Sequence, residues 1–372
     1  MVDKHALRYL SRADVRRCLP PLGGQIDLAE EALIALARDQ AEAPARSAIH
    51  PRDESSLIAM PALVRVSDTV GVKWVSAYPA NPSIGLPDVA ALIVVNDAET
   101  GLPLCVMDGT EITARRTAAV SGAAVRLFAP PPRGPAAKGA DGAVQPYFVG
   151  FVGGGNQARM HLDMLLEILG PLEIRVFDAI RERAERLVDE AAPRSGVVSA
   201  AVVESAATAC DGADLVVSAV SSRALGENAI TDDLLTPRCL VLCIDRAIMV
   251  TASVPASAGL FLVDDLAQFL YVRDAEPGGW YAGYPRPHGS LGRALVADER
   301  IASGRGGGVA GGLDDPDAVV ASSGRDVAAA LGGSSAGRVV LTCVGVGAVD
   351  VVTAGAVHRI AELEGIGDVL DR

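Results

Sequence analysis

The chain has 372 residues, half of them apolar, and a formal net charge of −13. That length exceeds what one hydrophobic core commonly fills and predicts two domains. The acidity argues against a general nucleic-acid surface, which would be basic. No apolar run reaches the roughly 18 to 20 residues of a membrane span, and Met1-Val2-Asp3-Lys4-His5 lacks the basic-then-apolar pattern of a secretory leader. The expectation is a cytoplasmic protein with neither a membrane nor a nucleic-acid partner.

Leu10-Ser11-Arg12-Ala13-Asp14 reads as a short strand followed by a capping-box helix start, with Ser11 and Asp14 as the reciprocal pair. A second helix is predicted over Asp27 to Ala43 from the helical spacing of Leu28, Ala29, Ala32, Leu33, Leu36 and Ala37. The pattern then changes to strands at 57–60, 71–75, 90–95 and 104–106, with Asn96 to Gly101 as a hairpin connection between the last two. Thr113 to Phe128 is helical. Residues 129–146 form a Pro/Gly/Ala-rich link, taken as a domain boundary. Strands alternating with helices follow, around Val149, Ile174, 198–202, 215–217, 240–244 and 260–263, and such alternation marks a parallel sheet. Residues 303–323 read as a loose insertion. The strand 338–341 and the helix 354–363 are too small to stand alone and are expected to complete the first domain. The domains are therefore 1–137 with 328–372, and 138–327.

The run Tyr147 to Ala158 carries the most specific signal. An apolar strand enters Gly153-x-Gly155-x-x-Ala158 and a helix follows, Arg159 to Leu169. In a dinucleotide-binding turn one glycine permits the bend, the next lets backbone approach a pyrophosphate, and a small third residue lets helix and strand pack closely. Asp178 lies 20 residues after Ala158, at the end of the next apolar segment. A carboxylate there accepts hydrogen bonds from ribose hydroxyls and repels a 2′-phosphate, which points to NAD; Arg181, three residues on, leaves NADP open. A glycine-rich turn in an ordinary α/β unit is the competing reading.

Arg115 and Arg116 sit at a helix start beside an apolar flank. Either one guanidinium points inward at a carboxylate, or both are solvated. Lys73 interrupts a strand between Val72 and Trp74 and faces either water or a pocket. Arg46, in the loop Pro44-Ala45-Arg46-Ser47, is a weaker candidate of the same kind. Asp245 follows the apolar run 240–244 at the strand end that faces the ligand crevice in doubly wound sheets. It is either a proton donor or acceptor for chemistry at a C–N bond or a surface acid paired with Arg246. Asp264 and Asp265 read as turn residues. The aromatic loop 278–285 is either a substrate lid or a subunit contact. Six cysteines in mostly apolar stretches read as buried free thiols in a reducing compartment, and five histidines make a protein metal site improbable.

Met107-Asp108-Gly109-Thr110-Glu111-Ile112-Thr113-Ala114-Arg115-Arg116-Thr117-Ala118-Ala119-Val120-Ser121, the turn Gly153-x-Gly155-x-Gln157-Ala158 and the ending Gly345 to Asp350 together resemble the ornithine cyclodeaminase/μ-crystallin family over most of the chain. The resemblance implies an α/β protein: a Rossmann-type parallel-sheet domain inserted into an α+β dimerisation and substrate domain made from both chain ends, acting as a homodimer. It implies a substrate carboxylate held by Arg116, Lys73 and Arg46, with Lys73 and Asp245 as catalytic residues. It also implies a dinucleotide held around Thr117, Gly153, Gly155, Asn156, Gln157, Ala158, Asp178, Ser218, Ala219 and Val220. Family cyclodeaminases carry a glutamate where this chain has Ile58, two residues before Met60-Pro61, which counts against ornithine cyclodeamination. The stretches around Ile58 and Lys73 look more like the branch that releases 2,3-diaminopropionate, with imine-reducing and alanine-dehydrogenating members similar over the same residues. The expected function is NAD(H)-dependent oxidoreduction at the CH–NH or C=N bond of an amino or imino acid. An ornithine or lysine cyclodeaminase and a non-catalytic ligand-binding protein stand as alternatives.

Overall fold

The computed structural model describes residues 6–130, 145–221, 229–275, 280–302, 324–334 and 337–371. Most of the expected linker, the glycine-rich stretch 303–323 and the glycines 278 and 279 lie outside the described residues. By contact the chain divides into two compact units, Met1–Val120 with Gly345–Arg372, and Ser121–Val344.

Strand β1 (Ala6–Leu10) leads into helix α1 (Arg12–Cys18), started by the expected capping box: the Asp14 N–H donates to the Ser11 hydroxyl, and the Ser11 N–H donates to the Asp14 carboxylate. Helix α2 occupies Leu22–Ala37 rather than 27–43. Asp39 takes a left-handed φ of 57°, which ends the helix, and the next residues form the short strands β2 (Ala41–Glu42) and β3 (Ser47–Ile49). Strands β4 (Ser56–Val64), β5 (Thr69–Ala77), β6 (Val89–Asn96) and β7 (Pro103–Asp108) form an antiparallel meander, each longer than the apolar segments that announced it. Cross-strand pairing extends strands through residues such as Ser56 and Ser76 whose side chains give no strand signal. The connection after β6 is the expected tight turn, with the Asp97 N–H donating to Leu102 and the Gly101 N–H to Asp97. Helix α3 (Thr110–Phe128) follows.

The second unit is a doubly wound sheet. Its elements are β8 (Tyr147–Val152), α4 (Asn156–Ile168), β9 (Leu172–Phe177), α5 (Arg181–Ala191), β10 (Val197–Val202), α6 (Ala206–Cys210), β11 (Leu215–Ser218), β12 (Leu240–Cys243), α7 (Ser253–Ala256), β13 (Leu260–Val263), α8 (Leu266–Ala275), β14 (Gly289–Ser290), α9 (Leu291–Ala302), α10 (Gly324–Ala330) and β15 (Val339–Thr342). The strand order is β10-β9-β8-β11-β12-β15-β13-β14, every neighbour parallel. Chain order reverses between β8 and β11, and ligands of open α/β sheets bind at the strand carboxyl ends of such a switch point.

Strand β15 corrects the sequence reading. Rather than completing the first unit, it fills the slot between β12 and β13. Its neighbours are apolar and buried on both faces, as central parallel strands are, and Val340 and Leu341 match them. The aromatic loop is likewise neither lid nor subunit contact at its tyrosines. Tyr281 and Tyr284 are buried among Phe261 and Phe269, with ring centroids 4.9 to 6.0 Å apart.

The chain returns to the first unit with α11 (Gly347–Glu364) and β16 (Asp368–Asp371). Helix α11, almost wholly apolar and buried over its first three turns, packs on β4, β5, β6 and α2. Strand β16 pairs antiparallel with β1, giving the order β16-β1-β7-β6-β5-β4-β2 with β3 also on β4. Among the described residues no helix is long and apolar enough to cross a membrane.

Candidate active site

Strand β5 alternates, and that alternation decides where its lysine goes. Thr69, Gly71, Lys73 and Val75 face α11, while Trp74 faces outward at 43% exposure. Lys73 is 1% exposed. Its Nζ donates to Asp350 Oδ2 at 2.6 Å, and Arg116 Nε donates to the other oxygen, Oδ1, at 2.8 Å. The two arginines at the head of α3 therefore part company: Arg115 pairs with Glu111 one turn back, and Arg116 turns inward, 7% exposed. Arg46 is half-buried and lies close enough to Lys73 to repel its charge. Two buried cations share one buried anion, so the cluster keeps a surplus of positive charge in a chain that is acidic overall. Burial pulls the Lys73 ammonium down to about 8, opposed by the carboxylate of Asp350 and reinforced by the positive charges of Arg116 and Arg46. Sequence reasoning found the two cations but not their shared partner; an aspartate inside the apolar run Val349 to Val352 was the available signal.

In the second unit the glycine turn joins β8 to α4. Gly153 has φ +102°, and a Cβ there would sit 2.5 Å from the Ala219 carbonyl oxygen. A Cβ at Gly154 would meet the Arg183 carbonyl at 2.7 Å, so this glycine serves close packing against α5. Around Gly155 nothing lies within 4 Å of that position. Gly155 also caps α4 with no side-chain hydrogen bond, and the start of a helix favours an anion. Ala158 is fully buried, Asn156 exposed and Gln157 half-buried. Asp178, at the end of β9, accepts from the Gly154 N–H at 2.8 Å and the Ile180 N–H at 2.9 Å, which fixes its carboxylate beside the turn. Ala219 and Val220 adjoin Gly153, and Ser218, the last residue of β11, is the register partner of Val152. The donors, the opening at Gly155 and the fixed carboxylate fit a dinucleotide. Thr117, which belongs to the first unit, spends its hydroxyl proton on the Thr113 carbonyl at 2.8 Å.

Asp245 lies two residues beyond the end of β12, 4% exposed, and is not a surface acid paired with Arg246. It accepts a hydrogen bond from the Ser218 hydroxyl, the backbone of Ile248 and Met249 also acts on the carboxylate, and its Oδ1 is buried with no side-chain or backbone bond in hydrogen-bonding geometry among the described residues. Burial raises its carboxyl to about 7. Arg246 and Ala247 follow with φ of 55° and 61°, two successive left-handed residues that are not glycine, and strain of that kind gathers at functional sites. Asp264, by contrast, is structural: its Oδ1 accepts from the N–H groups of Val344 and Asp265.

Sequence reasoning also missed His161. It is fully buried on α4, with Nδ1 2.7 Å from the Gln157 carbonyl and Nε2 2.9 Å from the Ser121 hydroxyl. Burial pulls it down to about 4, so it is neutral: Nδ1–H donates to Gln157, and Nε2 accepts from Ser121. Among the described residues no group of three metal-binding side chains occurs.

Fold and site together define a two-unit protein with a Rossmann-type sheet and a buried basic cluster. The model of the ornithine cyclodeaminase/mu-crystallin family matches residues 9–247, and the chain belongs to that family. It is 26% identical to a nodulation efficiency protein of Rhizobium meliloti over 98% of each chain. An alanine dehydrogenase of Archaeoglobus fulgidus is 32% identical over 49% of this chain and 51% of its own length, and the mouse ketimine reductase mu-crystallin 33% over 42% and 45%. The chain thus matches about half the length of those two enzymes. Among solved structures, the Δ1-pyrroline-2-carboxylate reductase of Thermococcus litoralis, in complex with NADH and L-proline, has a TM-score of 0.75 at 23% identity, covering 97% of this chain and 99% of its own. An archaeal alanine dehydrogenase dimer with bound NAD has a TM-score of 0.76 at 23% identity, covering 98% and 99%.

Proposed function

We propose that this chain is an NAD(H)-dependent oxidoreductase acting on the CH–NH or C=N bond of an amino or imino acid. The observation that carries the reading is the Lys73–Asp350–Arg116 cluster: two buried cations on one buried carboxylate, a set one negative charge short of balance. A substrate carboxylate supplies that charge, with Arg46 adding to the field. The opening at Gly155, the uncapped start of α4 and Asp178 hold the dinucleotide, NAD in preference to NADP. When bound, the dinucleotide would supply or accept the hydride of the reaction.

Asp245 moves the proton. In imine reduction its protonated carboxyl donates to the substrate nitrogen; in oxidation its carboxylate takes that proton back, and a carboxyl near 7 serves either direction. Its buried Oδ1, without a hydrogen-bond partner among the described residues, favours an enzyme over a non-catalytic binder. Ile58 packs with Met60, Val75 and Ala91 in an apolar cluster that offers no side-chain acceptor to a second amine. That favours imine reduction, amino-acid dehydrogenation or oxidative C–N cleavage over ornithine or lysine cyclodeamination.

The active form is a homodimer. The outward face of β4, β5 and β6 carries Leu57, Leu63, Val72, Trp74, Leu92 and Val94, all partly or well exposed. A contiguous apolar sheet face of this kind calls for a partner, and a second copy satisfies it with the same patch on both sides. The six buried free thiols support a cytoplasmic, reducing setting.

The test is a screen of NADH oxidation and NAD reduction over pyruvate with amines, cyclic imines, ornithine, lysine and glutamate conjugates. Turnover of carboxylated imines or amino acids is expected, and it should be lost in Arg116→Ala while NADH still binds. Kinetics unchanged by that substitution would remove the carboxylate anchor.

A further inference from the structure

Only three of the 33 basic residues are lysines: Lys4, Lys73 and Lys138. Arginine is this chain's default cation, yet among the described residues the most deeply buried cation is a lysine. An arginine keeps its charge under almost any burial, whereas a lysine's charge depends on its neighbours. Something must therefore govern whether Lys73 is an ammonium.

Lys73 meets three charged groups: Asp350 from α11, Arg116 from α3 and Arg46 from the loop before β3. Two are positive, and burial works in the same direction as they do. Among the described residues it is Asp350 that opposes them. It is delivered with little freedom. Gly345, at φ +88°, lies where a Cβ would touch Arg116 Nη2 at 3.1 Å, and a Cβ at Gly347 would come within 3.0 Å of the Met60 carbonyl oxygen. The two glycines let the start of α11 seat directly on β4 and against the guanidinium. Asp350 then falls in the first turn of α11, where the helix dipole favours a carboxylate.

We propose that Asp350 is the positioning residue of this site: it keeps Lys73 an ammonium in a dry setting and orients Arg116, so that carboxylate binding follows the charge of Lys73. This rests on the reading that the pair holds a substrate carboxylate. Without Asp350, Lys73 becomes a neutral amine at neutral pH, and one of the two cations facing the substrate is gone.

With three lysines in the chain, [ε-13C]lysine labelling of the full-length protein yields three resonances, and Lys73→Arg assigns the one that matters. Followed against pH, wild-type Lys73 should titrate well below the other two. Asp350→Asn should lower that midpoint by about one unit or more, and Asp350→Glu, which restores the charge, should bring it back. In parallel, Asp350→Asn should raise KM for the carboxylated substrate by about tenfold to a hundredfold, as loss of a charge-assisted contact does. The increase should be larger at pH 8 than at pH 6, with NADH affinity by fluorescence unchanged. If Asp350→Asn does not fold, Asp350→Glu carries the test: it should keep the Lys73 midpoint while raising KM, because the longer side chain misplaces Arg116. A Lys73 midpoint indifferent to Asp350→Asn, or one that falls in Asp350→Glu, overturns the proposal. Because the titration needs no turnover, a wild type that oxidises no substrate would sink the oxidoreductase reading while the titration still decides whether Asp350 sets the charge of Lys73.

Discussion

Ser218 ends strand β11 and Asp245 lies two residues past the end of the neighbouring parallel strand β12, and the serine hydroxyl donates to one oxygen of a carboxylate whose other oxygen is buried without a hydrogen-bond partner among the described residues. Such an oxygen costs stability unless a ligand completes it. Burial raises the Asp245 carboxyl to about 7, which brings both its protonated and its ionised form within reach near neutral pH. The sign of its effect depends on direction. Reduction of an imine uses the protonated form and should fall as pH rises through about 7, whereas oxidation of the amine uses the carboxylate and should rise over the same interval. Rate profiles measured both ways on one substrate check this, and Asp245→Asn should slow both by about 10²-fold or more with NADH affinity retained. A fully active Asp245→Asn would demote the residue to structure.

Asp178 uses one oxygen on the Gly154 N–H and the other on the Ile180 N–H. Both bonds fix its carboxylate where a ribose 2′-phosphate would meet a negative charge. Asp178→Ala should therefore weaken NADH far more than NADPH, narrowing or reversing the preference. Dissociation constants for both cofactors, by quenching or calorimetry, decide it. Equal losses would show that Asp178 does not choose between them.

Gly153 and Gly155 are glycines for opposite reasons. The first combines φ +102° with a Cβ position 2.5 Å from the Ala219 oxygen; the second has open space. Gly153→Ala should destabilise the nucleotide-binding unit by about 2 kcal/mol or more, seen as a lower unfolding midpoint. Gly155→Ala should leave that midpoint within about 1 °C and weaken NADH by about tenfold, because the methyl group occupies the approach to the backbone. The same midpoint loss in both variants would remove the assignment of Gly155 to ligand approach.

The parts legible in the sequence were those written locally. A capping box, a glycine turn with its strand and its acid, and strands alternating with helices each declare themselves within some thirty residues. What escaped depended on contacts between distant positions. Lys73 and Asp350 are separated by 277 residues, and no pattern around either names the other. Strand β15 is short and apolar in three of its four residues and carries no address, so the slot between β12 and β13 decides its place. Tyr281 and Tyr284 looked like a surface loop because glycines precede them, yet their rings fill the core around Phe261. His161 hid for the converse reason: one polar residue on the buried face of α4 resembles any satisfied core histidine until Ser121 is seen beside it.

The outward face of the first sheet predicts the assembly. Trp74 and Leu92 are cross-strand partners, 43% and 46% exposed, in the middle of an apolar surface. In a symmetric dimer through this face each copy would present the same pair to the other, so one substitution acts twice. Trp74→Glu should yield a folded monomer by light scattering, since the side chain takes no part in the inner packing. A Trp74→Glu protein that stays dimeric would move the interface elsewhere.

Lys73 lastly sets activity against stability. Its folded value, about 8, lies below its ordinary 10.5, so between those pH values the unfolded chain holds a proton that the folded chain has released. The cost of burying the charge is thus fully present below about pH 8 and fades as pH rises toward 10.5. Taken at face value the shift corresponds to about 3 kcal/mol, an upper bound for one buried group. Lys73→Met removes that cost and leaves Arg116 and Asp350 as a neutral buried pair. The variant should unfold at a temperature several degrees above wild type at pH 7, the gain shrinking by pH 10, while losing affinity for carboxylated substrates. Thermal unfolding at the two pH values gives the answer: a Lys73→Met protein less stable than wild type at pH 7 would mean that the ammonium holds the fold together rather than burdening it.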